Sequence, residues 1–252
     1  MDFNRYSRQY ILKEIGEEGQ ERLLSSRVVV VGLGALGGVT AEALARAGVG
    51  YLRIIDRDVV QESNLARQTL YNQKDADHAV PKALAAKKYL TLVNPTIEIT
   101  AINTELNSSN CAELLGDVDI ILDGTDNYPP RFLMNDYAVM HNLPWIYTAV
   151  LGVQGVSLAV IPGKGPCLTC LLEQSPPKDS FPTTESEGVL GTAPGLAGFL
   201  QATRALRYLV SGETDTNLFS FNIWDGVFRS RTFPRCPDCP TCVQGKFPYL
   251  II

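Results

Sequence analysis

The sequence predicts an α/β fold on three observations. Short β-branched or fully apolar runs at 27–31, 51–55, 118–122 and 145–150 alternate with stretches rich in Ala and Leu. The first run stops at Gly32, the second at Asp56 and the third at Asp123, residue types suited to a turn out of a strand. Past Gly152 the character becomes β-rich, and the runs 218–224 and 227–233 flank Asp225-Gly226, a hairpin signal. Strands and helices alternating at this spacing give a Rossmann-like, mostly parallel sheet covered by helices, followed by a C-terminal β-rich part.

Taken in order, residues 1–26 read as a polar, helical lead-in. The strand 27–31, a helix 40–47 ended by Gly48 and Gly50, and the strand 51–55 make one β-α-β unit. Residues 58–77 are polar with few breakers. A helix over 81–93 has Pro81 in its first turn, where a missing N–H costs nothing. Strands come next at 97–102 and 118–122, then a helix over 130–141 and a strand over 145–150. Residues 153–161 read as β. Residues 173–188 carry four Pro and Gly residues and no apolar period, the pattern of a mobile loop. A helix over 195–210 precedes the hairpin. The expected organisation is one integrated domain: lead-in 1–26, a Rossmann-like half 27–152 and a β-rich half 153–252.

The 252 residues, 45% of them hydrophobic, suffice for one large core. With 22 basic and 27 acidic residues the net charge is -5, which argues against a nucleic-acid binder. The polar start does not resemble a signal peptide, and the apolar runs are too short for a membrane span. A cytoplasmic location is the expectation.

Gly32-Leu-Gly34-Ala-Leu-Gly37 matches G-x-G-x-x-G between a strand and a helix. Gly32 permits the tight turn, Gly34 the approach of phosphate to the backbone, and Gly37 close packing of helix on strand. The helix N-terminus then offers unpaired N–H groups to phosphate. Asp56, at the end of the second strand, is placed to accept from ribose hydroxyls. The motif indicates a nucleotide without saying which, and a turn needed only for packing is the bland alternative.

The surroundings narrow the choice. Asn64 and Arg67 stand three apart, on one face of a helical turn. Arg67 supplies a fork of donors for phosphate oxygens. Lys82 sits at a helix start, where the dipole gives a cation no reason to be. Asp123 and Asp126 follow the third apolar run, beyond the carboxyl end of a strand, and Asp126 is a candidate Mg²⁺ holder. Hydride transfer needs no such set. A reaction that expels pyrophosphate does, because charge develops on the leaving phosphates.

Cys167-Leu-Thr-Cys170 and Cys239-Pro-Thr-Cys242 are two C-x-x-C pairs, enough for a closed, structural four-thiolate zinc site. Cys236-Pro-Asp-Cys239 is a second C-x-x-C frame, and spacing does not choose between them. A redox role for one pair is the alternative. Cys111 stands alone, and His78 and His141 are too far apart in sequence to suggest nucleophilic catalysis.

From Tyr6 to Cys242 the chain resembles the ThiF, MoeB and HesA proteins, bacterial relatives of the ubiquitin-activating E1 enzymes. The resemblance is carried by Arg5-Tyr-Ser-Arg8-Gln9, the glycine-rich turn, Asp56-Arg-Asp58, Ser63-Asn64-Leu-Ala-Arg67-Gln68, Thr125-Asp126-Asn127 and both C-x-x-C pairs. It implies adenylation, with Mg-ATP, of the C-terminal glycine of a small ubiquitin-like sulfur carrier ending in Gly-Gly, in sulfur transfer of the molybdopterin or thiamine type. It implies that Asp56 binds ribose, that Arg67 and Lys82 hold phosphates, and that Asn64 and Gln68 shape the pocket. Asp126 would position Mg²⁺. Arg8 would reach the neighbouring ATP site of a homodimer. Cys239 and Cys242 would be the zinc ligands beside Cys167 and Cys170, leaving Cys236 spare.

Two departures stand out. Thr184 occupies the place where relatives that pass the carrier on through sulfur chemistry have a loop cysteine, and a hydroxyl cannot replace a thiolate as carrier. Ala79-Val80 precedes Pro81 in place of the common Gly-Gln. Adenylation without a covalent enzyme intermediate is therefore expected. Adenylation of a small-molecule or peptide carboxylate is the main rival. An NAD-dependent oxidoreductase and a non-catalytic scaffold are weaker ones.

Overall fold

The structure is a computed structural model that describes residues 4–177 and 183–250. Its strands are β1 (Arg27–Val31), β2 (Tyr51–Ile55), β3 (Glu98–Ile102), β4 (Ile120–Asp123), β5 (Trp145–Leu151), β6 (Gln154–Val160), β7 (Leu218–Asn222) and β8 (Val227–Arg231). Among the described residues they form one sheet in the order β3-β2-β1-β4-β5-β6-β7-β8. The pairs from β3 to β5 are parallel. Those from β5 to β8 are antiparallel, so the two expected halves share one sheet.

The helices are α1 (Ser7–Tyr10), α2 (Gly16–Ser25), α3 (Ala35–Ala47), α4 (Gln73–Asp77), α5 (Lys82–Val93), α6 (Cys111–Leu115), α7 (Tyr128–Met140), α8 (Leu168–Leu172), α9 (Thr184–Glu187) and α10 (Thr192–Ser211). Side chains alternate across a strand, so the valines of β1 divide between the two faces of the sheet. Val28 and Val30 pack with Ala41 and Leu44 of α3 and Ala202 of α10. Val29 and Val31 pack with Phe132 and Met134 of α7 and Leu114 of α6. The two neighbouring strands β1 and β4 thus send their following helices, α3 and α7, to opposite faces. A crevice opens at their carboxyl ends, where open α/β sheets bind ligands.

Several sequence expectations need correction. α3 begins at Ala35, five residues before the expected start, because Gly37 and Gly38 lie inside the helix. The hairpin loop is four residues, 223–226, since the last pair is Asn222 with Val227. Residues 183–188 of the expected loop hold the helix α9, capped by the Thr183 hydroxyl, which accepts from the Ser186 amide. Residues 178–182 of that loop lie outside the described residues. The short helices α4 and α6 were not expected, and Cys111 on α6 is buried.

The lead-in docks at the far end of the sheet from the glycine-rich turn. Tyr6 lies over Gly48, where a Cβ would meet its ring at 2.5 Å. Gln9 and Gln20 both donate to the Ala47 carbonyl, at 2.8 and 3.1 Å, satisfying an orphan acceptor at the end of α3. Among the described residues no helix is long and apolar enough to cross a membrane.

Candidate active site and metal centre

The turns after β1 and β4 touch backbone to backbone. Gly32 has φ of 85°, a conformation that favours glycine. A Cβ on Gly37 would lie 1.9 Å from the Gly32 carbonyl oxygen, and one on Gly124 would lie 2.2 Å from the same atom. Gly34 is different. A Cβ there would meet only the Gln68 Nε2, at 3.9 Å. The structure therefore keeps open space over Gly34, at the uncapped N-terminus of α3, where phosphate oxygens fit.

Asp56 ties the turn to β2. Its Oδ2 accepts from the Leu33 amide at 2.7 Å and its Oδ1 from the Asp58 amide at 2.8 Å. A carboxylate oxygen has a second lone pair, so both can still accept from a ribose. Burial raises the Asp56 pKa, against the opposing pull of those two amides and the charge of Lys82.

Lys82 opens α5 and is buried. Its Nζ lies 3.0 Å from Asp58 Oδ2, and its amide donates to the Asp58 carbonyl at 2.9 Å. The cation at this helix start is thus held by Asp58, to which sequence reasoning gave no role. The spacing Asp56-Arg-Asp58 was the available signal.

Asn64, Arg67 and Gln68 share one helical turn, as their spacing suggested. The Asn64 carbonyl accepts from the amides of Arg67 and Gln68 at 3.0 and 2.9 Å, and its buried side chain accepts from the Gln61 amide at 3.1 Å. Arg67 is half-buried and donates to the Ser63 carbonyl at 2.7 Å. Gln68 is buried, and its Oε1 has no hydrogen-bond partner. The Gln68 atom that borders the open space over Gly34 is the amide Nε2, a donor suited to a phosphate oxygen. Gly191 closes on this turn, since a Cβ there would meet the Ala66 carbonyl at 3.0 Å and the Arg67 Cβ at 3.5 Å. The segment carrying α9 therefore ends against the Arg67 turn.

The two aspartates after β4 part company. Asp123 is fully buried and cannot meet a ligand as the sequence suggested. Its carboxylate accepts from Arg131 Nε at 3.0 Å and from the Thr125 hydroxyl at 2.6 Å. A buried strand end requires that ion pair, which fixes the turn beyond it. Asp126 is exposed on that turn, where its Oδ1 accepts from the Asn127 side chain at 3.0 Å. Its carboxylate is thus available to a metal ion.

Arg8 is exposed on α1, beside Arg5, Arg46, Leu12 and Ile15 around a cavity of about 320 Å³. Its neighbour Gln9 is anchored to Ala47, at the opposite end of α3 from Gly34. Thirteen helical residues span about 20 Å. Arg8 therefore stands far from its own chain's glycine-rich turn.

The four thiols come together as their spacing suggested. Cys167 Sγ lies 3.9 Å from that of Cys170 and 3.6 Å from that of Cys239, and the Cys170 and Cys242 sulfurs are 3.5 Å apart. Four sulfurs about 2.3 Å from a common tetrahedral centre stand about 3.8 Å apart, so the set fits zinc. Cys236 is exposed and outside the set, and its amide donates to Cys170 Sγ at 3.4 Å. The structure thus selects the Cys239/Cys242 frame. Burial pushes the Cys170 thiol up to about 11 and Cys167 higher still. A cation among them would reverse that preference by favouring thiolates.

Sequence comparison agrees with this geometry. The model of the ThiF family matches residues 6–241. The SAMP-activating enzyme E1 of Haloferax volcanii is 38% identical over 96% of this chain and 89% of its own length. The sulfur carrier protein adenylyltransferase of Thermus thermophilus is 38% identical over 96% of this chain and 91% of its own. In fold, the chain is similar to E. coli MccB with AMPCPP and MccA, at a TM-score of 0.82 and 22% identity over 96% of this chain and 75% of that one. A family match over nearly the whole chain and two relatives aligned over most of their lengths lead to one conclusion: the protein belongs to the ThiF family of E1-like adenylyltransferases.

Proposed function

We propose that the enzyme transfers AMP from Mg-ATP to the C-terminal carboxylate of a polypeptide and releases pyrophosphate. The open space over Gly34 at the uncapped N-terminus of α3, bordered only by Gln68 Nε2, carries this reading. In it, Asp56 holds the ribose, the α3 N-terminus, Arg67 and Lys82 hold phosphates, and Asn64 and Gln68 shape the pocket. Asp126 holds Mg²⁺, which neutralises charge on the phosphate oxygens. Arg8, which stands far from its own chain's glycine-rich turn, serves the site of a second copy in a homodimer, as the family resemblance implies. No side-chain nucleophile is needed, since the substrate carboxylate attacks the α-phosphorus.

Two acceptors fit. The Thermus thermophilus relative, a sulfur carrier protein adenylyltransferase, supports a small sulfur-carrier protein, which the family resemblance implies ends in Gly-Gly. Thr184 supports the second, a peptide or small-molecule carboxylate, because no thiol stands at that place to take the acyl group onward. The fold likeness to a protein bound to MccA leaves room for that acceptor. The deciding experiment incubates the enzyme and Mg-ATP with Gly-Gly carriers, short peptides and free carboxylic acids, and measures product mass. A gain of one adenylyl group on a carrier supports the first acceptor, and a gain on a peptide or acid supports the second. AMP transfer to none of them contradicts the proposal.

A further inference from the structure

The two C-x-x-C segments have a common third residue, threonine, in C-L-T-C and in C-P-T-C. In the structure the Thr169 and Thr241 hydroxyls meet at 3.0 Å, and both are buried. Neither points to the thiols for its other bond. Asn135 Nδ2 donates to Thr169 Oγ1 at 3.2 Å, while Asn135 Oδ1 accepts from the Leu168 amide at 2.8 Å. Thr241 Oγ1 donates to Asp136 Oδ1 at 3.3 Å, and Asp136 Oδ2 accepts from the Tyr249 amide at 3.0 Å. Asn135 and Asp136 have no solvent exposure. They are adjacent on α7, so one helix holds both C-x-x-C segments through a line of buried polar groups that contains no sulfur.

We propose that Asn135, Asp136, Thr169 and Thr241 are positioning residues for the metal centre. They fix the two cysteine pairs at tetrahedral spacing from behind, so that metal binding need not order two independent loops. A buried hydroxyl whose partner is removed must either stay unpaired or move, and movement here shifts the segment that carries the sulfurs. Groups behind a ligand set commonly change metal affinity by about 10- to 100-fold. The line also ends at Tyr249, whose hydroxyl accepts from the Ser175 amide at 2.9 Å, so the C-terminal segment and the root of the 173–188 segment are tied to the same helix.

The test measures zinc affinity by competition with a chromophoric chelator, and the ligand field with cobalt(II), in the full chain. Thr241→Val removes the hydroxyl and keeps the shape. It is expected to weaken zinc binding by about tenfold or more and to alter the cobalt absorption, while Thr241→Ser restores both. Thr169→Val breaks the same bond from the other side and is expected to match it. Equal affinity in wild type and both valine variants would overturn the inference. Failure of both valine variants to fold while Thr241→Ser folds would also overturn it, because the line would then serve the fold and not the metal. If wild type itself bound no zinc, the four-thiol site would be wrong as well, and the two failures are thus distinct. None of these readouts depends on adenylation.

Discussion

The glycine-lined crevice and the four-thiol cluster lie beyond β4 and β6 of one sheet, yet they are built in opposite ways. The crevice is made of backbone. Gly32, Gly37 and Gly124 let two turns approach within contact distance, and of the charged groups around them Asp56 and Lys82 are buried while Arg67 is half-buried and Asp126 exposed. The metal centre is made of side chains from three segments far apart in sequence, packed behind a buried polar line. The difference teaches that a ligand entering and leaving needs a rigid frame with open space, whereas a resident metal needs closed, pre-arranged donors.

The largest expected effect falls on the backbone frame. Gly37→Ala would press a methyl group into the Gly32 carbonyl at 1.9 Å, so loss of more than about 4 kcal/mol or failure to fold is expected in urea unfolding. Wild-type stability in that variant would show that Gly37 does not lie against the Gly32 carbonyl. At the metal centre, Cys170→Ala is expected to abolish stoichiometric zinc and to cost several kcal/mol, because binding energy there is folding energy. Elemental analysis with an unchanged metal content would refute the four-thiol set.

A pH effect separates the two regions further. Burial pushes the Asp136 carboxyl up to about 6 from its ordinary 3.8, opposed by its bonds from Tyr249 and Thr241. The folded state therefore keeps a proton that the unfolded state has lost, and stability falls as pH rises from about 4 to about 6. The change is on the order of 3 kcal/mol at full burial and flattens above that window. Asp136→Asn should remove that slope, read as the difference from wild type in urea midpoints at about pH 4.5 and about pH 7. An unchanged slope would mean Asp136 is ionised throughout. The smallest effect is expected at Thr184, half-buried at the start of α9. Thr184→Ala should change the adenylation rate by less than about tenfold, or roughly 1.4 kcal/mol of barrier. A larger loss would give the hydroxyl a part in the reaction.

The backbone-built region was far more legible in the sequence than the side-chain-built one. Glycines at fixed spacing after an apolar run announce a turn and a helix, and β1, β2 and β5 fell close to where their β-branched runs predicted. The sequence could not show that Gly37 lies within α3 because its near contact, Gly32, is a backbone partner and not a periodic side chain. Asp123 and Asp126 look equivalent in sequence, yet one ends a buried strand and requires Arg131, eight residues on, while the other sits in solvent. The four cysteines were legible as pairs. Their supporting line was not, because Asn135 and Asp136 lie in a helix some thirty and a hundred residues from the threonines they hold. The matching threonines inside the two C-x-x-C pairs were the one available hint.

The central claim is that Asp126, exposed beside the glycine-built crevice, makes ATP reactive toward a bound carboxylate. Exchange of labelled pyrophosphate into ATP, run with the best acceptor and with wild type beside Asp126→Ala, tests it most directly. The account expects acceptor-dependent exchange by wild type and loss of at least about a hundredfold in the variant, with its unfolding curve unchanged. Full exchange by Asp126→Ala, or none by wild type with any carboxylate, would contradict it.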